Sequence, residues 1–396
     1  MSHNARSCVI TELVIEHSLS PRVRSVRLLP EASLTRKGTK AVALLSGGLD
    51  SMLAARIVQE LGIIVLGVHF STGFCTIQRR RRVAREGDIG DKRLRNEALE
   101  TAATLQLPIE IIDVSSDYIP VVTNPKHGYG SHMNPCQDCR AFMLRKAKEY
   151  MEAHDAHFVI TGEVVGQRPN SQKKHLLRQT EREAGLEGFV VRPLSAKLLP
   201  ETVPEREGMI DRNKLYDISG RGRRRQIEMA ADFGIEEYAQ PSGGCCMLVE
   251  EAFSRRLRGY LDNNPVSALT SGVVALLSTG RHLLLNNGKR VIVGRHEGEN
   301  EYLQSVCDSG YVCLEASKGS SPITLIEKPV TTIDINDAAR ITAGYSKWKH
   351  EPTVEVMIRD GDESRNVTVV PFNSDILWKM NVGADPSSRP EVKATD

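Results

Sequence analysis

The chain predicts an α/β protein, a parallel sheet with helices on both faces, followed by a smaller α+β domain. Three observations lead there. Ala41 to Leu45 form a short continuous apolar run, as expected of a strand buried on both faces. A helix with Leu53, Ile57 and Leu61 at a spacing of four follows, and then a second apolar run from Ile63 to Phe70. That β-α-β order implies a right-handed crossover and parallel pairing. Beyond about residue 256 the pattern changes to a helix and then short strands, where 280–285 and 289–294 flank Asn286-Asn287-Gly288, a strong hairpin turn.

A length of 396 residues suggests two or three domains. The divisions expected are an N-terminal extension over 1–38, a first domain over 39–255, a second over 256–380 and a disordered Pro/Ser/charge-rich tail over 381–396. The extension alternates modestly (Val9, Thr11, Leu13, Ile15) and suggests a strand pair or an ordered arm; Glu12 and Glu16 argue against an organelle transit peptide. A net charge of +2 imposes no global field, so any basic surface is local. The eight cysteines lack a framework spacing, and no apolar run approaches a membrane span. A cytoplasmic protein with reduced cysteines is expected, its thiols serving metal or sulfur chemistry.

Between the first strand and its helix lies Ser46-Gly47-Gly48-Leu49-Asp50-Ser51. The glycines allow a sharp turn and close approach to a ligand, and the amides opening the helix favour an anion there. The Lys of a G-x-x-x-x-G-K-[ST] loop is missing, so this is not a P-loop of that type. The second strand ends at His69-Phe70, on the same rim as Ser46, where parallel sheets place ligands. His69 suits an adenosine contact or a packed strand-end histidine equally.

Residues 79–95 carry eight Arg/Lys, from Arg79 through Arg82 to Arg85, Lys92, Arg93 and Arg95, against three acids. A basic cluster of this kind is either a solvated loop or a phosphate-attracting patch, and its place near the rim favours RNA contact. A helix over about 91–106 and a third strand over 108–114 follow. A Gly/Pro/Asn/His-rich loop then runs to Pro135-Cys136-Gln137-Asp138-Cys139, with a helix over 140–154 and a fourth strand over 158–162. Gly162, Glu163, Gln167 and Arg168 return to the rim. Lys173, Lys174, His175 and Arg178 form a second basic stretch on a helix, and 190–194 a fifth strand or extended segment. Arg221-Gly222-Arg223-Arg224-Arg225 opens a helix to about Phe233, before Gly243-Gly244-Cys245-Cys246.

Cys136-x-x-Cys139 at a loop-to-helix junction can chelate a metal, serve redox chemistry or merely begin a helix. With the second cysteine site, three thiolates are easier to gather round one centre than four, because the adjacent Cys245 and Cys246 point apart if extended. Cys136, Cys139 and Cys245 are therefore the candidate metal ligands, suiting a four-iron four-sulfur cluster with an open iron. A persulfide relay between Cys139 and Cys245 and a structural zinc site are the alternatives.

Ser-Gly-Gly-Leu-Asp-Ser resembles the pyrophosphate loop of the ATP pyrophosphatase (PP-loop) superfamily, which implies an adenine nucleotide alpha hydrolase-like fold. Adding Pro-Cys-x-x-Cys and a distant Gly-Gly-Cys makes residues 39–255 similar to the tRNA thiolation enzymes, including the tRNA 2-thiouridylases. The resemblance implies ATP binding by Ser46, Gly47, Gly48, Asp50 and Ser51, with His69, Phe70 and Gly162 on the adenosine side, and magnesium on the phosphates. It implies sulfur handling by Cys136, Cys139 and Cys245, with Asp50, Cys139 and Cys245 as catalytic residues. The partners implied are tRNA and a sulfur donor, either a persulfide-carrying protein or inorganic sulfide. The chain departs from the typical thiouridylase, which has a single cysteine after an Asn-Pro-Asp type of motif and a β-barrel C-terminal domain. Here 294–300, Ala338-Ala339 and Tyr345-Ser346-Lys347 resemble instead the RNA-associated NFACT-R domain. The competing functions are an amide- or nitrile-forming ATP pyrophosphatase acting on a small molecule, and a non-catalytic RNA-binding protein with structural zinc.

Overall fold

A computed structural model describes residues 38–84, 96–169, 171–238, 246–307 and 310–383. The arm expected before residue 38, Arg85, Lys92, Arg93 and Arg95 of the first basic stretch, Cys245 with its two glycines, and the tail from 384 lie outside them.

The first half is built on β1 (Lys40–Leu44), β2 (Ile64–Ser71), β3 (Ile109–Asp113), β4 (Phe158–Thr161) and β5 (Val190–Val191). Their order is β3-β2-β1-β4-β5 and every pairing is parallel. The helices are α1 (Leu49–Glu60), α2 (Thr76–Arg82), α3 (Glu97–Leu105), α4 (Ser115–Thr123), α5 (Cys136–Ala153), α6 (Lys174–Ala184), α7 (Val203–Arg206) and α8 (Arg224–Asp232), followed by α9 (Glu251–Leu261) and α10 (Ser271–Leu277). Successive strand residues point to opposite faces, yet Ala41, Val42 and Ala43 are all buried. Ala41 and Ala43 join one apolar cluster with Leu53, Ile57 and Met229, while Val42 joins another with Tyr118, Phe142 and Phe253. Helices therefore cover both faces, as the continuous apolar run predicts.

The chain winds outward from β1 to β3 and then crosses back to lay β4 on the other side of β1. The strand order reverses between β1 and β4, and in open parallel sheets the crevice beyond the carboxyl ends opens at such a point. Two departures from the sequence expectation matter there. Helix α5 begins at Cys136 rather than Arg140, with the Cys139 amide donating to Pro135 O at 2.8 Å. Helix α4 occupies a stretch that carried no helix signal because Pro120 lies inside it.

The second half holds β6 (Arg281–Leu284), β7 (Arg290–Val293), β8 (Tyr311–Ala316), β9 (Thr324–Glu327), β10 (Val354–Asp360) and β11 (Glu363–Val369), with α11 (Glu297–Ser305), α12 (Thr332–Tyr345) and α13 (Ser374–Met380). The sheet order is β11-β10-β8-β9-β7-β6, all antiparallel. The β6–β7 hairpin turns through Asn286-Asn287-Gly288 as expected, with Leu285 N–H donating to Lys289 O at 2.9 Å. Cys307 and Cys313 are placed as a disulfide pair, Cys313 on β8 and Cys307 just beyond α11, with Cα atoms 5.7 Å apart.

Helix α12 packs Ala338, Ala339, Ile341 and Ala343 onto this sheet. Its start is a capping box, in which Thr331 Oγ1 accepts from Asp334 N and Asp334 Oδ2 accepts from Thr331 N at 2.9 Å. Asp334 also accepts from Asn287 Nδ2 at 2.6 Å and pairs with Lys289 Nζ at 3.1 Å, tying the helix to the hairpin turn. The Thr331 amide, then the Lys289 and Asn287 contacts, lower its carboxyl from 3.8 to about 2. Asp334→Ala is expected to cost about 1–2 kcal/mol at neutral pH by urea unfolding. A carboxyl depressed on folding stabilises above its unfolded pKa, so the deficit should shrink as pH falls from 4 through about 2.

Candidate active site

The loop after β1 folds round its own hydroxyls. Ser51 Oγ donates to Gly48 O at 2.8 Å, which spends its hydrogen, so Ser46 Oγ donates in the 3.2 Å contact between the two serines. Ser51 Oγ also accepts from Ser46 N at 3.3 Å, and Gly48 N donates to Ser46 Oγ at 3.4 Å. Ser51 is thereby saturated and shapes the loop, whereas Ser46 is exposed at the rim. Gly47 turns at φ +81°, where a Cβ would meet Glu97 Cβ at 2.2 Å. Gly48 is the N-cap of α1 and makes no side-chain cap, which leaves the first turn for a ligand.

Asp50, in that first turn, is buried at 8 % exposure. Its Oδ2 accepts from Gln167 Nε2 at 3.0 Å and from Arg223 Nη2 at 3.4 Å. Oδ1 is buried and accepts nothing from the described residues. Gly162, just past β4, lies so close that a Cβ would stand 2.3 Å from Ser51 N and 2.4 Å from Asp50 C.

These groups open onto a cleft of about 310 Å³. His69 and Phe70 line it from the end of β2. His69 Nδ1 donates to Leu45 O at 2.8 Å, and burial lowers its pKa, so the ring is neutral with Nε2 as an acceptor. His69 is thus anchored by a backbone carbonyl and also faces the cleft. Glu163 lies beneath the floor at 4 % exposure, accepting from Arg192 Nε at 2.9 Å and pairing with Arg140 Nη1 at 3.1 Å. Burial pushes this carboxyl up, but Arg192 and Arg140 outweigh it and hold it below the usual range. Arg192 also pairs with Glu181, so an ionised chain joins α5, β4 and α6 under the cleft.

Cys136 and Cys139 sit on the cleft wall at the start of α5, together with Asn134. Cys245 is outside the described residues, but its neighbour Cys246, the less expected of the pair, lines the cleft and contacts Asn134 Oδ1 at 3.9 Å. Cys75 lines it too, as do Arg140, Gln172 and Arg223, none of which was singled out as a site residue. Cys75 was legible in principle, since it follows β2 by four residues and the carboxyl ends of these strands build the rim. Among the described residues no group of three or more His, Cys, Asp or Glu is arranged to hold a metal ion.

The first basic stretch is corrected in part. Arg79 forms a bidentate pair with Glu250, at 2.5 and 2.9 Å. Arg82 donates to Ser278 Oγ at 3.0 Å and lies over the Tyr302 ring at 5.5 Å. Both are structural ties, and only Arg80 and Arg81 of the four are exposed. Lys173, Lys174, His175 and Arg178 are all exposed on or beside α6, as are Arg221, Arg224 and Arg225 at the start of α8.

The first half is thus an α/β domain on a parallel sheet with a cleft at the carboxyl ends of its strands, and the second half is a separate antiparallel sheet. A family described as the tRNA methyl transferase HUP domain matches residues 39–203, and the NFACT protein RNA binding domain matches 280–379. Among curated relatives, the tRNA-specific 2-thiouridylase MnmA of Thiobacillus denitrificans is 25% identical over 235 residues, covering 57% of this chain and 60% of that protein. The same enzyme of Petrotoga mobilis is 27% identical over 151 residues, covering 35% of this chain and 40% of that one. The chain thus spans between two fifths and three fifths of the length of these relatives. A solved 4-thiouridine synthetase–RNA complex with bound ATP is 20% identical, with a TM-score of 0.31, covering 50% of this chain and 41% of that one. No helix among the described residues is long and apolar enough to cross a membrane.

The contact at Gly162 yields a direct test. Gly162→Ala drives a methyl group into the backbone of Asp50 and Ser51 and should cost about 1–3 kcal/mol in denaturant unfolding. It should also speed amide hydrogen exchange in the first turn of α1. Gly222→Ala, whose Cβ meets nothing within 4 Å, is the matched control and should do neither.

Proposed function

We propose that this protein is an ATP-dependent tRNA sulfurtransferase, which adenylylates a uridine carbonyl oxygen and replaces it with sulfur. The observation that carries the proposal is the cleft itself, where the Ser46–Ser51 loop and the thiols of Cys136, Cys139 and Cys246 face one space. A carbonyl oxygen is a poor leaving group until it attacks the α-phosphorus of ATP and pyrophosphate departs. The loop amides at the start of α1 and the Arg223 guanidinium suit the charge that develops on that pyrophosphate. A sulfur nucleophile then attacks the activated carbon and AMP leaves.

Magnesium fits this donor set. The buried, unpartnered Oδ1 of Asp50 is the oxygen that would hold it, and the ion would neutralise phosphate charge. An iron–sulfur cluster would need a third thiolate beside Cys136 and Cys139, and Cys245, which lies outside the described residues, is the one proposed for it. A cysteine persulfide needs no third ligand and is the simpler carrier of the sulfur. tRNA is the proposed partner; the NFACT RNA binding domain match and the exposed Lys173, Lys174 and Arg178 support it.

Asp50→Ala and Ser46→Ala are expected to lower AMP formation by orders of magnitude in a tRNA-dependent assay while the circular dichroism spectrum stays native. AMP release from wild-type protein without tRNA, on addition of a small carbonyl compound, would favour the amide- or nitrile-forming alternative. The corrected basic stretch gives a second test. Charge removal at Arg80 and Arg81 should flatten the salt dependence of tRNA binding. Removal at Arg79 and Arg82 should instead lower the unfolding midpoint.

A further inference from the structure

Cys75 and Cys246 lie opposite each other in an isolated antiparallel bridge. Met247 N–H donates to Phe74 O at 2.8 Å, the bond that flanks this pair. Cys75 and Cys246 are therefore a non-hydrogen-bonded pair, in which facing Cα atoms lie about 4.5 Å apart and both side chains stand on one side of the ladder. That spacing is within the span of about 4.4–6.8 Å that a disulfide bridges. Both residues are partly exposed and line the same cleft, so a small reagent can reach them.

Contacts on both flanks hold the two segments together. Phe74 packs at 5.8 Å from Tyr118 and 6.2 Å from Phe253, the latter on α9, just beyond Cys246. Arg79, one turn into α2, grips Glu250 bidentately. The two segments are thus closed on each other on both sides of the thiols.

We propose that Cys75 and Cys246 are a reversible redox pair, oxidised to a disulfide by small-molecule disulfides. The thiolate of Cys246 attacks one sulfur of the reagent and releases one thiolate. Cys75 then attacks Cys246 Sγ and releases the second, so two protein thiols are oxidised as one disulfide is reduced to two thiols. The bond ties the rim together and withdraws Cys246 from chemistry in the cleft until a thiol reductant restores it. The proposal goes beyond the sulfurtransferase reading and holds whatever substrate the cleft takes.

The test uses the full chain, reduced and then exposed to 2-hydroxyethyl disulfide, with peptide mapping under non-reducing conditions. The expected result is joint loss of the Cys75 and Cys246 thiols, one peptide linking them, and full reversal by dithiothreitol. Cys136→Ser and Cys139→Ser should keep the link. Cys75→Ser should stop at a mixed disulfide between Cys246 and the reagent. A link from Cys246 to Cys136 or Cys139, a wild-type protein that stops at the mixed disulfide, or a Cys75 that remains alkylatable would overturn the proposal. None of these readouts involves ATP or tRNA, so failure of the sulfurtransferase reading leaves them unaffected.

Discussion

The site depends on one backbone contact. Where the sheet order reverses, the chain leaving β4 runs against the first turn of α1 so closely that Gly162 has no room for a side chain. That approach brings Glu163 and Gln167 to the loop after β1, and Gln167 in turn fixes Asp50. A larger residue at 162 would separate the two strand ends and open the floor of the cleft. The ionised chain from Arg140 through Glu163 and Arg192 to Glu181 braces this contact from below. Removing one of its members would leave a buried charge without its partner, so the chain acts as a unit.

The architecture of the first half was legible because its signals are local. Ala41 to Leu45 announce a strand covered on both faces, and the Gly-Gly turn with Asp50 announces a helix starting at the sheet rim. The same rule placed His69, Phe70 and Gly162 on one rim, and the structure puts all of them there or in contact with it. The turn at Asn286-Asn287-Gly288 was readable for a similar reason.

What escaped was set by contacts between residues far apart in sequence. The arginines at 79 and 82 look like a solvated or phosphate-binding run until Glu250 and Ser278 are seen beside them, 171 and 196 residues on. The pairing of Cys75 with Cys246 is equally invisible to periodicity, and so is the place of Cys246 on the cleft wall. Helix α4 was missed for the opposite reason, a local one. Pro120 suggests a break, yet Tyr118 and Val122 are buried firmly enough to keep the turn helical.

The span of chain that walls the cleft has a consequence for synthesis. The loop at 46–51 is made early, but Arg223 and Cys246 complete the rim only after about two hundred further residues. A chain still emerging from the ribosome can assemble the first three parallel strands and still present a cleft with one side missing. The segment that carries Cys246 is held by Met247 on Phe74 and by Glu250 on Arg79, and the one that carries Arg223 by its contact with Asp50. A fragment ending at residue 203, the limit of the HUP domain match, would therefore retain the loop but lack the wall that faces it.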